Sequence, residues 1–289
     1  MTKAGPSADL VRLVDSLDTT LSGVVWGTEG TGKTLFVLRD WPLPILVLNL
    51  DRALTRAHLY DPVSGKPLPQ ERLDNIFVKN MREDITAVDH MQAVQIKNGI
   101  EDILTRNLDW LKGGTLLLDG GTMFRSVLKM ADQTIAKAIE AGKRWNPREK
   151  EQVNVYHGAL ISRVADAGIN FVITAHAAFE WKMVQTEGAD RPQLTRMHTL
   201  YPKFDDIAFE RTAFSILLFK RCECGRNIVN QDGSCSAAGT GESKHVGRIH
   251  VARIVNNKYN TSTEGKEFVN LSYRLLHTLA FDREKAALL

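Results

Sequence analysis

A chain of 289 residues with 43% hydrophobic and 25% charged side chains can bury a sizeable core, which excludes the disordered and fibrous classes. Its 37 Lys and Arg stand against 34 Asp and Glu, so the net charge does not point to a polyanionic partner and any nucleic-acid surface must be local. No apolar run approaches the roughly eighteen residues of a membrane span, and the opening MTKAGPSADL lacks the apolar core of a signal peptide. The expectation is a cytoplasmic protein without membrane association.

In chain order, Ser7 is a suitable N-cap for Leu10, Leu13, Val14 and Leu17 at helical spacing, which predicts a short amphipathic helix within 1–19. LSGVVW (21–26) reads as a buried strand, GTEGTGKT (27–34) as a Gly-rich loop, and TLFVLRD (34–40) as the start of a helix that Pro42 must end. PILVLNLD (44–51), IFVKN (76–80), TLLLD (115–119) and FVITAH (171–176) are further short, almost wholly apolar strands. Between them, Ile96, Ile100, Ile103, Leu104 and Leu111 mark one helix, and Val153, Leu160 and Val164 another. This alternation predicts an α/β fold with a mostly parallel sheet flanked by helices.

After residue 205, TAFSILLFK (212–220), GRIHVARIV (247–255) and EFVNLSYRLL (267–276) read as strands without long helices between them, so the sheet is expected to finish antiparallel. The stretches 177–203 and 221–246 show no convincing periodicity and read as long loops, the second a Cys-containing insertion. The expected organisation is an N-terminal helix (1–19), a core (20–276) and a C-terminal tail (277–289).

The strand–loop–helix order around 27–34 is what a polyphosphate site requires. Backbone N–H groups converge on the charge only where glycines allow it, and a helix N-terminus and a cation complete the cradle. Gly27, Thr28, Glu29, Gly30, Thr31 and Gly32 form that loop, Lys33 is the cation, and Thr34 places a hydroxyl where magnesium sits beside the outer phosphates. Asp119 ends an apolar strand, so its carboxylate emerges at the same sheet edge and is the candidate magnesium ligand. Asp51, at the end of the strand that follows the Gly-rich loop and on the same edge, is a candidate for polarising water; a helix N-cap is the other reading. His176 ends the fifth strand, where it either senses the γ-phosphate or serves the structure.

With these residues in place, the pattern resembles the RecA-like recombinase ATPases, in particular the small core-only RecA-like proteins of bacteriophages that bind single-stranded DNA and promote annealing. The resemblance spans roughly residues 20 to 275 and rests on three segments besides the phosphate loop. VLNLDRAL (47–54) is similar to the strand ending in the family's catalytic carboxylate, commonly a glutamate; Asp51 is one methylene shorter. VITAH (172–176) is similar to the strand whose terminal polar residue reads the γ-phosphate and signals to a DNA-binding loop, here His176. RIVNNKYNTSTEGKEF (253–268) resembles the segment whose lysines reach a neighbouring subunit's γ-phosphate. Lys258 matches one of them, and Asn256 stands in the other place, which leaves Arg253 to substitute.

The resemblance implies an ATPase using ATP and Mg2+, stimulated by single-stranded DNA and assembled as a ring or filament with nucleotide near subunit interfaces. It also places two DNA loops, one after the strand that ends in Asp119 (within 137–150) and one after the strand that ends in His176 (177–203). The first carries Lys143, Arg144, Trp145 and Arg148, the second Trp181, Lys182, Arg191 and Arg196; cations neutralise phosphates and aromatic rings stack on bases. Cys222, Cys224, Cys235 and His245 would make a four-ligand Zn2+ site, although their spacing departs from that of a zinc ribbon; the alternative is reduced thiols in an insertion. Two other functions fit the same core: a helicase-like motor or loader, and a nucleotide-gated regulatory module with weak turnover, suggested by the short Asp51 and by Asn256.

Overall fold

The computed structural model describes residues 20–51, 54–61, 64–81, 89–142, 147–184, 193–202, 211–222, 224, 227–228 and 249–289. The apolar runs form β1 (Ser22–Gly27), β2 (Ile45–Asn49), β3 (Ile76–Asn80), β4 (Thr115–Asp119) and β5 (Asn170–Val184); β1, β2 and β4 are buried throughout and β5 from Asn170 to Ala175, whereas β3, at the sheet edge, is exposed from Phe77 onward. The later strands are β6 (Gln193–Pro202), β7 (Phe214–Arg221), β8 (Asn227–Ile228), β9 (Ile249–Asn257) and β10 (Glu267–Val269). Their order is β10-β9-β7-β1-β5-β4-β2-β3, with β6 paired to β5 and β8 to β7. From β7 to β3 every neighbouring pair along this path is parallel, while β9 and β10 are antiparallel, as expected for the C-terminal end.

Side chains alternate between two cores because successive residues of a strand point to opposite faces. Val24, Trp26, Leu116, Leu118, Phe171, Ile173, Leu217 and Phe219 belong to one, and Val25, Leu117, Val172, Ile216 and Leu218 to the other. The first packs against α3 (His90–Leu111), α4 (Gly121–Ala131) and α6 (Pro147–Asp166); α5 (Gln133–Glu140) adds Ile135. The second packs against α1 (Lys33–Asp40), Trp41, α7 (Tyr273–Phe281) and α8 (Arg283–Ala287). Each fully buried large apolar side chain contributes about 1.5–3 kcal/mol, so two-sided covering is what holds the central strands. No described helix is long and apolar enough to cross a membrane.

The helix that follows the Gly-rich loop is pinned at its far end. Trp41, fully buried, lies 6.1 Å from Phe36, 6.0 Å from Phe214 and 5.0 Å from Tyr273, tying α1 to β7 and α7. Arg72, in the short α2 (Gln70–Leu73), donates to the carbonyls of Leu38 and Trp41 at 2.5 Å each, satisfying oxygens at the helix end. Arg39 reaches the Leu271 carbonyl at 2.7 Å. At its start α3 has a capping box, with Gln92 N donating to Asp89 Oδ1 at 2.8 Å and Asp89 N to Gln92 Oε1 at 3.3 Å.

Two segments differ from expectation. The stretch 177–203, read as a loop, is largely a hairpin: β5 runs on to Val184 and pairs antiparallel with β6. Main-chain pairing sustains such a ribbon without the apolar runs that mark core strands. The stretch 267–276, read as one strand, divides after Val269. Asn270 turns at φ 54°, Ser272 accepts from Leu275 N at 3.1 Å as an N-cap, and α7 follows with Leu276, Leu279 and Ala280 buried. Residues 277–289 form the rest of α7 and α8, with Ala286 buried in the second core. The helix expected in 1–19, and residues 229–248 of the Cys-containing stretch, lie outside the described residues.

Candidate functional site

Gly27 closes β1 opposite Leu218 of β7, and a Cβ there would sit 2.3 Å from the Leu218 carbonyl oxygen and 2.8 Å from Thr31 Oγ1. Only glycine fits so close an approach. Gly30 (φ 70°) and Gly32 (φ 84°) take left-handed conformations that wrap the loop. Gly32 is also the N-cap of α1 and supplies no side-chain cap, so the first N–H groups of α1 meet no side chain of their own cap. Lys33 Nζ folds back onto the Gly27 and Thr28 carbonyls at 3.2 and 2.9 Å, and Thr31 Oγ1 donates to Thr28 O at 2.9 Å. Burial lowers the Lys33 pKa, while Asp119, Asp51 and Glu29 act in the opposite sense.

Because β5 lies between β1 and β4, the ends of all three strands meet beside this loop. Thr34 Oγ1 donates to Asp119 Oδ1 at 2.9 Å and Oδ2 at 3.1 Å, joining positions 85 residues apart. Thr174 Oγ1 donates to Asp119 Oδ1 at 2.6 Å and accepts from Gly120 N at 3.0 Å. Asp119 is only 2% exposed; burial raises its pKa, the Asp51 charge adds to the rise, and the Thr174 and Thr34 hydroxyls oppose it. A buried carboxylate beside a threonine hydroxyl is the hard oxygen donor set that Mg2+ prefers.

Asp51 follows β2 and lies 3.7 Å from His176 Nε2, so the candidate base and the candidate sensor face each other. The backbone N–H of His176 donates to Thr122 Oγ1 at 3.3 Å. These groups line a cavity of about 620 Å3 with the loop residues Glu29, Gly30, Gly32 and Lys33, a volume within the range of small-molecule sites. The glycine loop wraps one side of the cavity with Gly30 and Gly32 in left-handed conformations, a lysine stands at it, and an oxygen donor pair forms its floor; these residues fit a nucleotide with a divalent ion.

Four lining residues carried no signal in the sequence. Thr174 is a polar residue inside an apolar strand, and Gly120 turns at φ 100° to bring its N–H to that threonine. Thr55 and His58 enter from the turn after β2, where the Thr55 N–H donates to His58 Nδ1 at 3.1 Å.

Other expected residues lie apart. Lys258 is exposed on the turn after β9, and its N–H donates to Ala213 O beside the start of β1. That is the opposite sheet edge, about five residues of extended chain or roughly 16 Å from the loop, so Lys258 does not join the cavity of its own chain. Arg253 is held by Glu267, which also binds Arg221. Trp181 and Arg196 are directly opposed in the β5–β6 ribbon, and Lys182 opposes Thr195, by backbone register. Arg148 is in the first turn of α6. Lys143, Arg144, Trp145 and Arg191 lie outside the described residues, as do Cys235 and His245. Cys222 is buried and Cys224 exposed, and among the described residues no group of three His, Cys, Asp or Glu side chains could hold a metal. No protein-family model matches the sequence, and no curated protein is similar to it.

Proposed function

We propose that the chain is a RecA-like P-loop ATPase that binds single-stranded DNA in recombination or strand annealing. The observation that carries the nucleotide reading is the Thr34–Asp119 hydrogen bond at the floor of the cavity, with Lys33 and the glycine loop above it. Two segments far apart in sequence converge there on one oxygen donor pair, an arrangement that a chance glycine-rich loop does not explain. The DNA reading is supported by the segment resemblances and by the continuity of β5, which passes from His176 into the paired ribbon bearing Trp181 and Arg196.

Bound Mg2+ supplies positive charge to the outer phosphate oxygens. Lys33 exchanges the Gly27 and Thr28 carbonyls for phosphate oxygens, and the N–H groups at the start of α1 orient the chain of phosphates. Asp51 takes the proton of the attacking water, and His176 orients that carboxylate across their 3.7 Å separation. Since Lys258 lies at the far sheet edge, completion of the site by this residue requires a second copy of the chain.

The test is ATP hydrolysis with and without single-stranded DNA at low and moderate salt, with Lys33→Ala as blank. Strong stimulation that weakens with salt is expected. Turnover that ignores DNA refutes the DNA reading, and absent turnover with retained nucleotide binding favours the nucleotide-gated module. The His176–Asp51 contact is the observation behind that second reading, because a histidine that holds the carboxylate can also keep it from water.

A further inference from the structure

β4 and β5 are paired as far as Leu118 and Ile173, so the next residues, Asp119 and Thr174, stand side by side where the pairing stops. Beyond Asp119 the chain turns at Gly120, whose N–H has left the ladder and donates instead to Thr174 Oγ1 at 3.0 Å. A hydroxyl has one proton to give. With its oxygen accepting from Gly120, that proton is committed to Asp119 Oδ1, 2.6 Å away. Thr174 is 1% exposed, so no solvent competes for either bond.

The two hydroxyls at Asp119 are distributed unevenly. Oδ1 accepts from Thr174 at 2.6 Å and from Thr34 at 2.9 Å, whereas Oδ2 has only the longer Thr34 contact at 3.1 Å. The carboxylate is thereby held in one rotation, and Oδ2 keeps more of its lone-pair capacity for the cavity. Thr34 sits in the first turn of α1, at the Gly-rich loop, whereas Thr174 belongs to a central strand bonded on both sides.

We propose that Thr174 is a positioning residue for the divalent cation: its hydroxyl, locked between Gly120 N–H and Asp119 Oδ1, fixes the carboxylate that binds the metal and so sets the Mg2+ concentration at which nucleotide is held. This rests on the nucleotide reading of the site. Groups that orient a metal ligand typically change metal affinity about ten- to a hundredfold when removed. The hydroxyl gives its one proton to Asp119, so Mg2+-free nucleotide binding, which relies on Lys33 and the loop N–H groups, is independent of it.

The experiment titrates Mg2+ into the full chain with a fluorescent ATP analogue, for wild type, Thr174→Ser, Thr174→Val and Thr174→Ala, with a parallel series in chelator. Wild type and Thr174→Ser are expected to share a Mg2+ midpoint. Thr174→Val and Thr174→Ala are expected to raise it about tenfold or more, with binding in chelator unchanged. A wild-type midpoint in either folded apolar variant overturns the proposal, as does an equal loss with and without Mg2+. Unfolding of both apolar variants while Thr174→Ser stays folded also overturns it, because the hydroxyl then serves the fold alone. A wild-type chain that binds no probe under any condition refutes the nucleotide reading itself and takes this role with it.

Discussion

Acid should destabilise this protein through one residue of α6. His157 is 0% exposed, its ring meets Phe124 edge-on at 5.3 Å, and burial, helped by the Arg125 charge, pushes its pKa from 6.5 down to about 4. The folded state therefore keeps the imidazole neutral, while the unfolded chain takes up a proton as pH falls below 6.5. The stability this contributes is complete above that value and is lost progressively as pH falls towards about 4. The full shift corresponds to about 3 kcal/mol. Linkage places about 1 kcal/mol of that loss between about pH 7.5 and about pH 5.5, and most of the rest by about pH 4.5. Urea unfolding of wild type and His157→Leu at these three pH values isolates the residue, because every other titrating group is common to both chains. Asp40 and Asp119, whose pKa values burial raises, act in the opposite direction and cancel in the comparison. The variant should show the shallower loss of stability by these amounts. Equal pH slopes in the two chains would refute the claim that the ring is held neutral in the core.

Two further outcomes follow from the site. Gly27→Ala would place a methyl 2.3 Å from the Leu218 carbonyl oxygen, between strands whose register cannot give. The cost should be about 1–3 kcal/mol, seen as a fall of several degrees in Tm together with weakened nucleotide binding; an unchanged Tm contradicts the close approach. Asp119→Asn should raise the Tm of the nucleotide-free protein at neutral pH while removing Mg2+-dependent nucleotide binding. The sign follows from the raised pKa: the folded state favours the protonated carboxyl, so ionisation as pH rises costs stability that the amide does not lose. Calorimetry without nucleotide checks it, and a lower Tm would contradict the reading.

The amino-acid sequence by itself determined the elements whose cause is local. Residues 27–34 declare a Gly-rich loop between strand and helix because its glycines, lysine and threonine lie in one contiguous turn. The strands at 22–27, 45–49 and 115–119 were legible because strands buried on both faces must be apolar at nearly every position, and 76–80 by its run Ile76–Val78, although that edge strand is largely exposed. Asp119 was legible as the polar residue that ends such a run. Where burial does not govern, the signal failed: the β5–β6 ribbon rests on main-chain pairing, and the strand read through 267–276 gave way to the turn at Asn270 and the Ser272 cap.

Tertiary structure alone decided the company each residue keeps. Thr174 reads as an irregularity in an apolar strand until β5 is inserted between β1 and β4, which brings it against a carboxylate 55 residues away. Asp51 and His176 end separate strands and face each other only because of that strand order, and the same register carries Lys258 to the opposite edge. Strand order is set by pairing between distant segments, each of which satisfies the same local rules, so no window of sequence contains it.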